Sequence, residues 1–90
     1  MNAKGTRADH KSQRILETAG HAVTRAVGSL GAWDLVGVGP PDVVLCQVKS
    51  NRPPTPAERG ALALLRCPAN CKRLVHVWHD RQRSHEAREL

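Results

Sequence analysis

The chain has 90 residues and a formal net charge of +6, with 14 Lys and Arg against 8 Asp and Glu. A chain of this length makes a single small domain whose core is marginal, and a homodimer would strengthen it. The positive charge favours a polyanionic partner, most often nucleic acid. Phe and Tyr are absent and only two Trp occur, which argues against the base-stacking platforms of proteins that bind single strands.

The N-terminal region predicts a basic arm and a helix. Residues 1–7 have the composition of a flexible basic arm, and apolar spacing predicts a helix over residues 6–18. Thr6 followed by Asp9 fits a helix N-cap, so the helix dipole alone could explain this acidic residue. Gly20 is a residue type that commonly ends a helix.

Three short apolar segments predict strands over residues 21–26, 33–38 and 43–49. The sequence Gly28-Ser29-Leu30-Gly31 separates the first two segments. Such a loop lets backbone N–H groups approach a phosphate, although a plain turn has the same composition. The third segment is apolar on both faces as far as Gln47, which is typical of a central strand.

The second half predicts one more helix and one more strand. Thr55-Pro56-Ala57-Glu58 is a strong helix start, and the helix should run to about Arg66. Residues 74–79 predict a strand, and residues 80–90 form a charged tail that is either a frayed helix or disordered. The predicted order is α-β-β-β-α-β, an α/β fold with a small mixed sheet flanked by helices, in one domain over residues 1–90.

The cysteines carry two interpretations. Three cysteines without a secretory apolar segment fit a reducing cytoplasm, which would be the host cytoplasm if the chain came from a phage or mobile element. No apolar run approaches the roughly 18 residues that a membrane span needs. Cys67 and Cys71, with His76 and His79, invite a zinc interpretation, but the C-x3-C spacing is unusual and two ordinary thiols are the plainer explanation.

Polar residues interrupt two of the predicted strands. Gln47 and Lys49 point the same way because alternate strand residues share a face. Asp34 could supply an anionic oxygen for Mg²⁺, Gln47 a neutral one, and the backbone carbonyl of Val48 another. Lys49 could orient or deprotonate the attacking water, or stabilise charge on the phosphate. The set suits metal-assisted hydrolysis of a phosphodiester, although D-x12-Q-x-K alone is a common pattern.

Four sequence pieces occur together in one order: Lys4-Gly5 with Asp9, Arg25-Ala26-Val27-Gly28-Ser29, Asp34-Leu35-Val36, and Leu45-Cys46-Gln47-Val48-Lys49. Together they resemble the PD-(D/E)XK nuclease superfamily and, within it, the archaeal-type Holliday junction resolvases. The resemblance covers roughly residues 4–52. It implies a restriction-endonuclease-like core over the whole chain, because the later helix and strand fit the same fold.

The resemblance implies a metal-dependent endodeoxyribonuclease that cleaves branched DNA as a homodimer in recombination and repair, with Mg²⁺ as cofactor. The catalytic residues map onto Asp9, Asp34, Gln47 and Lys49. The metal ligands would be Asp34, Gln47, Asp9 and the backbone carbonyl of Val48. The DNA contacts would be Arg25 and Ser29 beside the scissile phosphate, with Lys4, Arg7, His10 and Arg52 as further backbone contacts.

The chain departs from the resolvase pattern at two positions. Gln47 replaces the usual second carboxylate, so Mg²⁺ should bind less tightly and Mn²⁺ could substitute. Glutamine here resembles the variant of phage and VRR-type nucleases. Asp9 replaces a Glu, and its contact to metal could run through water. Two alternatives stay open: a nickase or flap nuclease of the same fold, and a catalytically inactive DNA-binding module, which Gln47 would favour.

Overall fold

The computed structural model describes residues 3–26, 32–80 and 85–90. These residues form the elements α1 (Ala3–Thr18), β1 (Ala22–Arg25), β2 (Leu35–Val38), β3 (Val43–Ser50), α2 (Pro56–Ala63), β4 (Cys71–Trp78) and β5 (His85–Glu89). The strands make a five-stranded sheet in the order β1-β2-β3-β4-β5. Neighbouring strands are antiparallel, except that β3 and β4 are parallel. Neither described helix is long and apolar enough to cross a membrane.

Strand β3 is buried on both faces, as its apolar run predicts. Val44, Cys46 and Val48 pack on one face, where α1 contributes Ala8 and Leu16. Leu45 packs on the other face with Leu62 of α2 and with Val75 and Val77 of β4. Because burial on both faces requires cover from two layers, the helices lie on opposite sides of the sheet.

The C-terminal end of α1 is a glycine cap, as predicted. Gly20 has φ +100°, a left-handed conformation that glycine adopts without a Cβ penalty. Its N–H donates to the Glu17 carbonyl at 3.0 Å, and the His21 N–H donates to the Leu16 carbonyl at 3.0 Å. This pair of bonds is the Schellman pattern, which satisfies carbonyls that the helix leaves open.

Helix α2 begins with the predicted capping box. Thr55 Oγ1 accepts from the Glu58 N–H at 3.2 Å, and Glu58 Oε1 accepts from the Thr55 N–H at 2.9 Å. The helix ends at Ala63 rather than near Arg66, so its last predicted turn is absent. A turn lies between α2 and β4, and in it the Cys71 N–H donates to the Pro68 carbonyl at 3.0 Å.

The predicted arm is wrong from Ala3 onward, because α1 begins there. Ala and Lys favour helix, and burial of Ala8 against the sheet anchors the early turns. Thr6 therefore lies inside the helix instead of capping it. The first turn holds no acidic residue, so a helix-dipole role no longer explains Asp9.

The predicted disordered or helical tail over residues 80–90 is wrong for His85–Glu89, which forms β5 and pairs with β4. Residues 81–84 of that prediction lie outside the described residues. The open edge of β4 supplies backbone partners for this segment. His85 stacks on Trp78 with ring centroids 4.3 Å apart, whereas the remaining strand residues are exposed. An exposed edge strand shows no apolar alternation, which is why its sequence did not predict it. Pairing with β3 also makes β4 longer than predicted, because the strand begins at Cys71, which pairs with Val43 of β3.

Gly39→Ala should destabilise the protein, because the turn after β2 lies against the His21 ring. A Cβ at Gly39 would lie 2.9 Å from His21 Cδ2 and 3.2 Å from the Gly20 carbonyl oxygen. The ring cannot move away easily, since its Nε2 lies 2.6 Å from Asp42 Oδ1. We expect a loss of about 1–3 kcal/mol in unfolding free energy, measured by urea denaturation.

Gly60→Ala is the matched control for that measurement. Apart from the adjoining residues and backbone of α2 itself, no atom of the described residues lies within 4 Å of a Cβ at Gly60, which is inside α2. Alanine is favoured over glycine there by about 0.5–1 kcal/mol, so this variant should be more stable than the wild type. Equal stability of Gly39→Ala and the wild type would show that the His21 ring is not held in place.

Candidate active site

Asp34 directly precedes β2, and its carboxylate bonds to the backbone of β3. Its N–H donates to the Cys46 carbonyl at 2.8 Å. Its Oδ2 accepts from the backbone N–H of Val48 at 2.8 Å, so a carboxylate satisfies a strand donor that faces β2. This bond holds the carboxylate beside the segment from Gln47 to Lys49, as the predicted strand pairing requires.

Gln47 is buried, with 5% of its surface exposed, and its amide is held by backbone. Its Nε2 donates to the carbonyls of Ala32 and Glu58, each at 3.1 Å. Because a carbonyl only accepts, these two bonds fix which end of the amide is nitrogen. The Gln47 Oε1 has no hydrogen-bond partner among the described residues. A buried acceptor without a partner is costly and calls for an explanation such as a bound ion or water.

Lys49 and Glu58 form an ion pair between β3 and the start of α2. The Lys49 Nζ donates to Glu58 Oε2, and both side chains are partly buried. Arg52 Nη1 also lies 3.2 Å from Glu58 Oε1. Hydrogen bonds from Lys49 and from the Thr55 N–H lower the pKa of Glu58 to about 2. The lysine that terminates the motif therefore faces a permanently ionised carboxylate at neutral pH.

Asp9 of α1 faces the same end of the sheet as Asp34. Burial raises the pKa of Asp9, and the negative charge of Asp34 raises it further, whereas Arg25 opposes the shift. Arg25 Nη2 lies 3.5 Å from Asp9 Oδ2, and its Nη1 lies 3.2 Å from Nε2 of His10. The structure thus brings together two carboxylates, one from α1 and one from the residue before β2, with Arg25 beside Asp9.

Of the other predicted DNA contacts, the structure describes the side chains of only some. Ser29 and the rest of its glycine loop lie outside the described residues, and the side chain of Lys4 is not described. Arg7 is exposed on α1. Arg52 is also largely exposed, and its guanidinium contacts Glu58 and the Pro53 carbonyl.

The oxygen atoms that could bind a hard divalent cation come from both carboxylate and amide side chains. Among the described residues, no three His, Cys, Asp or Glu side chains converge on one point. The available oxygens are instead two carboxylates, those of Asp9 and Asp34, and the unpartnered amide oxygen of Gln47. Oxygen ligands of this kind suit Mg²⁺ or Mn²⁺. The Gln47 oxygen is the observation that supports the fit, because it lacks any other partner there.

Glu58 is the site residue that the sequence interpretation missed. Its capping-box motif was recognised, and that local role is sufficient to explain a Glu at this position. The further signal in the sequence is its distance of nine positions from Lys49, across three prolines that restrict the connection. Contact with both Gln47 and Lys49 depends on how α2 packs against β3.

His76 lies in the core, where it contacts Ser12. Its Nδ1 lies 2.8 Å from Ser12 Oγ, which also accepts from the indole N–H of Trp78 at 2.8 Å. His76 is 2% exposed, and burial lowers its pKa to about 4. The ring is therefore a neutral core residue that ties β4 to α1. Cys67 and Cys71 are free thiols.

A cavity of about 370 Å³ lies elsewhere on the α2 face of the sheet. Pro54, Val75 and Val77 contribute apolar parts of its lining, and Arg59 and Arg88 contribute charged parts. None of the predicted site residues lines it, so the cavity is separate from the candidate active site.

Comparison with known proteins finds a similar structure but no similar sequence. No model of a known protein family and no curated protein sequence matches the chain. The structure of Hjc, a Holliday junction resolvase from the archaeal hyperthermophile Archaeoglobus fulgidus, matches with a TM-score of 0.74 and 21% identity. The match covers 94% of this chain and 71% of that one. The chain therefore has the restriction-endonuclease-like α/β fold of this resolvase, as the sequence motifs predicted.

Proposed function

We propose that the chain is a divalent-metal-dependent endonuclease of the PD-(D/E)XK type that cleaves branched DNA, most specifically four-way junctions, as a homodimer. The resemblance in the motifs and the likeness to a resolvase fold both support this proposal. The observation that carries it is the position of Asp34, whose carboxylate is bonded to the backbone between Gln47 and Lys49.

The residues divide into ligands and charge-stabilising groups. Asp34 and Gln47 would hold the cation, and the Val48 carbonyl and Asp9 would complete its ligands. Asp9 has to leave Arg25 or act through a water, because the guanidinium competes for its Oδ2. A bound Mg²⁺ or Mn²⁺ would polarise the phosphodiester and lower the pKa of a water that attacks it. Lys49 would lie beside the phosphate, where its positive charge stabilises the charge that develops during attack.

Helix α1 offers the surface for the DNA backbone. Its exposed cations Arg7, Lys11 and Arg14 recur at spacings of four and three residues, which places them along one stripe of a helix. Contacts of this kind bind phosphates without reading base sequence, which suits a substrate recognised by its shape. Two-fold symmetry would provide two active sites for two nicks, one on each strand of a junction.

The test is a cleavage assay on a synthetic four-way junction and on linear duplex of the same sequence, in Mg²⁺ and separately in Mn²⁺. We expect paired nicks on the junction only, faster in Mn²⁺ because Gln47 removes one ligand charge. Omission of divalent metal should stop the reaction. Sedimentation of the protein with and without junction would check the homodimer.

Other outcomes lead to the other candidates. Equal cutting of junction, flap and nicked duplex would keep the nuclease and reject the junction as its substrate. Salt-sensitive binding without cutting in either metal would favour an inactive DNA-binding module. The neutral Gln47 is the specific observation behind this second candidate. Against it stands the retention of Asp34 and Lys49, which phosphate binding alone does not require.

A further inference from the structure

We propose that Glu58 is a positioning residue of the candidate active site, which holds the Lys49 side chain in place and orients Gln47. This inference rests on the proposed function and deepens it. Glu58 belongs to α2, outside the two strands that carry the predicted site, and its two functional contacts use different parts of the residue. Its carboxylate binds the Lys49 Nζ, and its backbone carbonyl accepts from Gln47 Nε2 at 3.1 Å.

The carbonyl contact explains how Gln47 presents its oxygen. The Glu58 and Ala32 carbonyls both accept from the same amide nitrogen, so the Oε1 must point away from them. Without these acceptors the amide could rotate and offer nitrogen instead of oxygen. The first turn of α2 therefore selects the end of the amide that can bind a cation.

The carboxylate contact explains the position of Lys49. Its Nζ donates to Glu58 Oε2, so the ion pair fixes the end of the lysine side chain beside the first turn of α2. An ammonium group has three N–H donors and no acceptor, so a lysine held in this pair contributes hydrogen bonds and positive charge. Of the roles that the sequence left open for Lys49, this contact favours charge stabilisation.

The Glu58 carboxylate also supplies negative charge to the site. Gln47 removes one negative charge from the usual ligand set, which would leave Lys49 without a nearby counter-charge on β3. Glu58 supplies that counter-charge from α2 instead. The capping box does not require this contact, because Thr55 bonds only to Oε1 and to the Glu58 N–H, whereas Lys49 bonds to Oε2.

Glu58→Gln separates these roles. Glutamine at this helix position also forms a capping box, and its backbone carbonyl still accepts from Gln47. The negative charge that binds Lys49, and also Arg52, is removed. In single-turnover cleavage of the junction at saturating protein, we expect the rate constant to fall about 100-fold, the size of effect that misplacement of a catalytic group produces. The dissociation constant for the junction and the denaturation midpoint should stay near the wild-type values.

Thr55→Ala is the matched control. It removes the Thr55 Oγ1 cap but keeps the Glu58 carboxylate and its contact with Lys49. The denaturation midpoint should fall while the cleavage rate stays at the wild-type value. A second comparison uses Lys49→Arg, which cannot act as a base and should retain more activity than Lys49→Met when Glu58 is present.

A spectroscopic measurement provides a readout other than activity. NMR relaxation of the Lys49 side chain should show restricted motion in the wild type and in Thr55→Ala, and free motion in Glu58→Gln. The side-chain amide signals of Gln47 should stay unchanged in Glu58→Gln, since the backbone acceptor is intact.

The outcomes distinguish this inference from the proposed function. If Glu58→Gln cleaves at the wild-type rate, the positioning role is overturned and the proposed nuclease function is unaffected. Equal loss of rate in Glu58→Gln and Thr55→Ala would reduce Glu58 to a helix cap and also overturn it. A wild-type protein that cleaves no substrate in either metal would reject the nuclease, and the positioning role with it.

Discussion

Asp34→Asn should cleave a four-way junction about 1000-fold more slowly than the wild type. Under the proposed function, the side chain would lose the charge that binds a divalent cation, and such a cation contributes several kcal/mol to phosphate cleavage, with each 1.36 kcal/mol worth a factor of ten. The fold should survive, because an asparagine oxygen can still accept the Val48 N–H that Asp34 Oδ2 accepts at 2.8 Å. The measurement is a single-turnover rate in Mg²⁺ and in Mn²⁺.

Asp34→Asn carries a second expected result that does not depend on activity. The negative charge of Asp34 raises the pKa of Asp9, so its removal should lower that pKa in an NMR titration. Glu17→Gln is the matched control, since it removes an acidic charge from the exposed side of α1. A wild-type cleavage rate in Asp34→Asn would refute the assignment of the active site, whatever the titration shows.

The second large effect is a loss of stability on acidification between pH 6.5 and 4. Burial lowers the pKa of His76 to about 4, whereas an unfolded histidine titrates near 6.5. In this window the unfolded chain binds a proton that the folded protein excludes, so the free energy of unfolding falls as the pH falls. The difference corresponds to about 3 kcal/mol, complete below pH 4.

Denaturant titrations at a series of pH values would measure this effect. The groups that face His76 are Ser12, Trp78 and His85, and burial also lowers the pKa of His85, which adds a change of the same sign. His76→Gln should be less stable at neutral pH but should show a flatter pH dependence over this window. His10→Gln, which alters an exposed ring, should keep the wild-type slope. A wild-type slope in His76→Gln would mean that another group controls the transition.

Local features of this chain could be predicted because their causes lie within a few residues. The glycine cap at Gly20 and the capping box of Thr55 and Glu58 depend on backbone groups within one helical turn. The burial of β3 follows from its continuous apolar run. These elements were sufficient to indicate the α/β core, which the structure and its likeness to a resolvase confirm.

The chain ends could not be predicted in the same way. Strand β5 has an exposed, charged sequence that no periodicity distinguishes from a tail, and it exists because β4 offers an open edge. The early start of α1 likewise depends on where Ala8 packs. In both places a long-range contact outweighs the local composition.

The sequence alone determined which residues could form a site: an acid before one strand, and an amide and a lysine on the next. Only the tertiary structure decided that Asp9 lies close enough to Asp34 to raise its pKa. It also decided that Glu58 contacts Gln47 and Lys49. The physical reason is that strand alternation acts between neighbouring residues, whereas these contacts require two helices to pack on opposite faces of a finished sheet.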